Sequence, residues 1–157
     1  MTSAGLSILV APQLWSADWV WGLPLIVLTV VLHVLGLGFT KQKVIRASSG
    51  KMGSRHPGTM FVVVMGATTL SATVLHGIEA AIWAVTYRLL GALHDGHSAM
   101  LYSLNAMTSY GHENLTLEAH WQLMGALEAL NGWLLFGLTA AFLFGMIEKV
   151  WSLSGER

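Results

Sequence analysis

The chain has 157 residues, 54% of them apolar, a net charge of zero and a mean hydropathy of +0.61, with only 10% charged side chains where a soluble domain usually carries about a quarter. That leaves too little polar surface to cover a water-soluble globule, and no basic excess of the kind that nucleic-acid binding requires. With no cysteine, disulfide frameworks, thiolate zinc sites and thiol catalysis are excluded.

Residues 1–18 are mildly apolar but lack a basic leading segment and contain Pro12, which predicts a short extracytoplasmic tail and not a cleaved leader. Residues 19–40 carry no Asp, Glu, Lys or Arg, and roughly 20 apolar residues suffice to cross a bilayer, so this stretch reads as the first transmembrane helix. Lys41, Lys43, Arg46, Lys51 and Arg55 follow in 41–59 without an acid among them, the mark of a cytoplasmic loop. Residues 60–150 read as one further unit. It holds a second transmembrane helix over 60–87, interrupted only by His76 and Glu79, a connection over 94–120, and a third transmembrane helix over 121–147 that contains Glu128. The connection has Asp95, Glu113 and Glu118 but no Lys or Arg, which puts it outside, with residues 151–157 as a cytoplasmic tail. The N-terminus is thereby expected outside and the C-terminus inside. Trp19, Trp21, Trp83, Tyr87, Trp121 and Trp151 fall near span ends, where amphipathic rings favour the headgroup level.

Within the connection, SAMLYSLNAM (98–107) is apolar and helix-compatible but only about half the length needed to cross a bilayer. Asp95 or Ser98 is available as N-cap and Gly111 as a breaker. Two readings fit. One is a re-entrant helix that enters the membrane where protein or a water-filled path satisfies its free carbonyls. The other is an interfacial helix lying on the outer surface.

The run LYSLNAMTSYGHENL followed by HWQLMGALEALNGWLLFGLTAAFLFGMIE resembles the pore helix, filter and inner helix of the prokaryotic pore-loop potassium-channel family. The likeness covers residues 60–150. It implies an all-α integral membrane fold with three transmembrane helices and a re-entrant pore helix and loop between the second and third. The first helix would lie outside the shared core, and the membrane would be a bacterial inner or plasma membrane. The resemblance also implies passive conduction of monovalent cations such as K+ by a homotetramer in the lipid bilayer, with no enzymatic role, no cofactor and no nucleic-acid partner. Ser103 and Thr108 fit the family's polar positions, Ser109, Tyr110, Gly111, His112, Glu113 and Asn114 stand where it has its T-V-G-Y-G-D filter, with Thr108 also placed in the ion pathway, and Gly132 or Gly137 where it has its inner-helix hinge. Glu113 replaces the second filter glycine. A Cβ disfavours the positive φ that turns carbonyls inward, so weaker discrimination among monovalent cations is expected. A ring of Glu113 carboxylates would concentrate cations at the mouth, with His112 beside it as a proton-sensitive group. Leu134, Leu138 and Phe142 on the third helix would gate by dewetting. A solvated acidic turn is the plain alternative for the same loop.

Glu79, Glu128, His33 and His76 lie inside spans, where ionisable groups need a partner or a function. His76, Glu79 and Glu128 fall in the outer half of the membrane. They are expected to bond Asn105, Thr108 or the following loop and so hold its shape. The histidines also admit a His-ligated haem or metal protein, although no HxxxH pair sits on one helix. A non-conducting accessory or structural subunit is the remaining alternative.

Overall fold

The computed structural model describes residues 4–48, 57–111 and 115–155, and these residues form helices joined by short turns, without a strand among them. Helix α1 spans Ala4–Ser48, α2 Pro57–Leu89, α3 Gly96–Met107 and α4 Gln122–Gly155, the last entered through a 3-10 turn at Ala119–Trp121. Three stretches are long and apolar enough to cross a membrane: Ser16–Arg46, Gly58–Leu89 and Ala119–Lys149. Helix is what lipid demands of such sequences, because every backbone N–H and C=O must be satisfied within the segment.

The first helix is longer at both ends than its apolar run. It starts at Ala4, so most of the stretch expected as a tail is helical, and Lys41, Lys43 and Arg46 ride on its last turns. Lys51 and Arg55 lie outside the described residues.

The chain divides into two compact units, Met1–Val30 with Glu79–Leu134, and Val31–Ile78 with Leu135–Arg157. In the first, Trp83, Tyr87, Ala99, Met124 and Leu127 are buried. The Tyr87 and Tyr102 rings meet edge to face at 5.4 Å, a favoured aromatic geometry. Trp83 and Tyr87 are both 0% exposed, so these two rings pack against protein. Trp121 is buried as well, whereas Trp19 and Trp21 are about half exposed, as rings of an aromatic belt would be. The side chain of Trp151 lies outside the described residues. Helix α1 is fastened to α4 by polar contacts. The buried Asp18 carboxylate accepts from the Met124 amide at 3.0 Å, and Asn131 Nδ2 donates to Thr29 Oγ1 at 2.9 Å. Asp18 thus caps the first turn of α4 from another helix, satisfying one of the amides that every helix N-terminus leaves open.

In the second unit, Val44, Val64 and Met146 form a small core with Met60, Phe61, Met65 and Phe142 packed against it. Phe142 is half-buried against this cluster.

Candidate functional site

The short helix α3 starts where sequence chemistry says it should. Asp95, in extended conformation, accepts from the Ser98 amide at 2.8 Å, the N-cap contact that satisfies a first-turn donor. That amide, and after it the Ser98 hydroxyl, hold the Asp95 carboxyl below the usual carboxylate range. Ala99, Tyr102, Ser103, Ala106 and Met107 are buried, a spacing of three and four that defines one helix face.

That face lies along α4 in step with it. The Tyr102 hydroxyl lies against Gly125, the Ser103 hydroxyl meets Glu128, and the Met107 carbonyl rests on Gly132. A Cβ at residue 132 would overlap the Met107 carbonyl group, so Gly132 is a close-approach glycine at which α3 docks. Gly137, the other hinge candidate, has open space around it.

The C-terminal end of α3 is a Schellman motif: Tyr110 N donates to Asn105 O at 2.9 Å and Ser109 N to Ala106 O at 3.0 Å. Ser109 takes the left-handed position, φ +54°, which glycine usually fills because a Cβ makes it costly. Trp133 of α4 donates its indole N–H to Ser109 Oγ at 3.0 Å and holds the turn. Gly111 follows at φ +93° and ends the helical path, as a breaker should. Thr108, Ser109, Tyr110 and Gly111 are exposed, Tyr110 at 85%. His112 and Glu113 lie outside the described residues. The chain is level with the end of α2 again by Glu118, whose amide donates to Ala92 O at 3.4 Å.

Beneath α3 sits a buried polar cluster. Tyr87 donates to Glu128 Oε2 at 2.6 Å, Ser103 Oγ is bonded to Glu128 Oε1, and Ser103 also reaches Ala80 O at 2.7 Å. Ser103 has one hydroxyl hydrogen and two oxygens in reach. Both contacts are satisfied when Glu128 is a carboxylic acid whose hydrogen bridges to Ser103 while Ser103 donates to Ala80. A neutral acid also removes the cost of a buried charge.

Glu128 therefore does contact α3, but through Ser103 and not through Asn105, which is half-buried and contributes its backbone carbonyl to the Schellman turn. Glu79 is fully buried on α2, next in sequence to Ala80. His76 belongs to the second unit, where its Nε2 lies 3.1 Å from Thr139 Oγ1. His33 Nε2 lies 2.9 Å from the same oxygen, and the two ring centroids are 5.0 Å apart. Sequence reasoning gave Ser103 and Tyr87 other places, a polar pore-helix position and a span end, and did not single out Trp133 or Thr139. Only the Ser103-to-Glu128 pairing had any signal, a hydroxyl on an otherwise apolar helix face. No protein-family model, curated protein or solved structure matches this chain.

Proposed function

We propose that the chain is one subunit of a cation channel, in which several copies surround a pathway and α3 with the turn at 108–111 supplies the pore helix and ion-coordinating loop. The observation that supports this reading is how far along α4 the short helix ends. Its last residue, Met107, lies against Gly132; at 1.5 Å per residue that is roughly 15 Å along α4 from its start at Gln122, about half of a 30 Å hydrocarbon core. Its first residues lie near Arg88, one residue from the end of α2. A helix lying flat on the surface would keep both ends at one level. A helix that ends at mid-membrane leaves free carbonyls there, which lipid does not satisfy and a water-filled path does.

In this reading the exposed residues Thr108–Gly111 supply the carbonyl oxygens that replace an ion's water. Glu113, in place of a glycine, is expected to leave selection among monovalent cations loose. The basic run from Lys41 to Arg55 supports a cytoplasmic α1–α2 connection with the N-terminus outside. The test is flux from liposomes under potassium, sodium and chloride gradients, together with the oligomeric state in mild detergent and in nanodiscs. Cation-dependent flux from an oligomer is expected. Anion preference, or a chain that stays monomeric in lipid, removes the reading.

A further inference from the structure

In the second unit, three helices each bring one polar side chain to a common point. His33 from α1 is 0% exposed, His76 from α2 is half-buried, and Thr139 from α4 is buried. The Nε2 atoms of the two imidazoles lie 2.9 and 3.1 Å from the single Thr139 oxygen, and the rings offer nitrogens within 4.8 Å of each other. Two histidines placed within transmembrane segments and aimed at one point are expensive to keep there as a mere spacer.

We propose that His33 and His76 bind a first-row divalent cation of the zinc, nickel or copper class, with the Thr139 hydroxyl beside it. Imidazole nitrogen is the ligand these ions favour. The ligand nitrogens, within 4.8 Å of each other, close around a cation with metal–nitrogen bonds of about 2.0–2.1 Å, and the imidazole that donates to Thr139 gives up that proton on binding. Glu79 follows His76 by three residues on α2, so helix periodicity places a carboxylate on the same side of that helix. That is the charge a bound dication calls for. A porphyrin does not fit between the pair, because the rings stand 5.0 Å apart, tilted by 44°, with both nitrogens on one hydroxyl. The ligand is therefore a bare ion. The site lies outside the α3 region and stands whether or not the chain conducts.

The experiment uses the full chain in nanodiscs, stripped with chelator, loaded with zinc and passed through a desalting column. The wild type is expected to retain about one zinc per chain, and His33→Gln with His76→Gln together to lose it. A chain carrying His94→Gln, His97→Gln and His120→Gln, the outer histidines of the stretch between α2 and α4, is expected to keep it. Because the double variant removes buried groups, zinc-edge X-ray absorption on the wild type provides a reading that needs no variant. Two imidazoles in the coordination shell are expected. Zinc lost with the outer histidines, a shell without imidazole, or no retained zinc in the wild type overturns the proposal.

Discussion

The Tyr87 hydroxyl sits 2.6 Å from Glu128 Oε2, joining α2 to α4 beneath the short helix. If Glu128 is the acid that the hydrogen count requires, an amide serves nearly as well, donating to Ser103 and accepting from Tyr87. Glu128→Gln is expected to unfold within about 1 kcal/mol of the wild type, whereas Glu128→Leu strands the buried Tyr87 hydroxyl, leaves Ser103 only its bond to Ala80, and costs about 2–3 kcal/mol. Denaturant unfolding in detergent reads the difference; a Gln variant as unstable as the Leu variant would show that the carboxyl is charged.

Gly132 and Gly137 separate packing from hinging. A methyl at 132 collides with the Met107 carbonyl, so Gly132→Ala is expected to displace α3 and cost about 1–3 kcal/mol. At Gly137 the added methyl meets nothing within 4 Å, and Ala in a helix gains about 0.5–1 kcal/mol over Gly. Thermal melts of both variants in the same nanodisc preparation would rank them; equal melting points would remove Gly132 from its docking role.

Trp133 restrains a turn that Ser109 makes unfavourably, at φ +54°. Trp133→Phe keeps an aromatic ring but deletes the N–H, and Ser109→Ala deletes the acceptor while keeping the strained φ. Both are expected to speed amide exchange at Ser109 and Tyr110 several-fold, corresponding to about 1 kcal/mol for the lost bond. Unchanged exchange in both variants would mean that the Schellman bonds alone fix the turn.

Asp95 gives the short helix a pH dependence of definite sign. Its carboxyl is held below its ordinary value of 3.8, so the contribution is present above about pH 4 and is lost as pH falls through the lower folded-state value. The side chain is fully exposed, which keeps the effect small. Amide exchange at Ser98, measured from pH 6 downward and corrected for intrinsic rate, should rise at the acid end in the wild type. Asp95→Asn keeps an acceptor that does not titrate and should flatten that profile.

The three spans were legible because lipid imposes one rule on every residue of a span, and a run such as 19–40 without a charge obeys it visibly. The α3 segment was legible by its length, and its start by Asp95. What hydropathy does not encode is rotation about each helix axis. Glu128 stood out as ionisable, yet its partners were a tyrosine that looked interfacial and a serine that looked neutral. His33 and His76 lie on different helices, and only the structure turns them to one hydroxyl. Asp18 was read as part of a tail because its partner is a backbone amide 106 positions away, which no side-chain pattern reveals.

That long separation bears on how the protein is made. Asp18 and Met124, Thr29 and Asn131, and His33 and Thr139 are each more than 100 positions apart, and every pair ends in α4. At roughly 5–20 residues per second of synthesis, α1 waits about 5–20 s in the bilayer before those partners emerge from the ribosome. A nascent chain halted before α4 holds a carboxyl and an imidazole in lipid with nothing from that helix to meet them, the kind of segment that membrane quality control extracts. Release of the last helix is thus the step that commits the earlier two to staying.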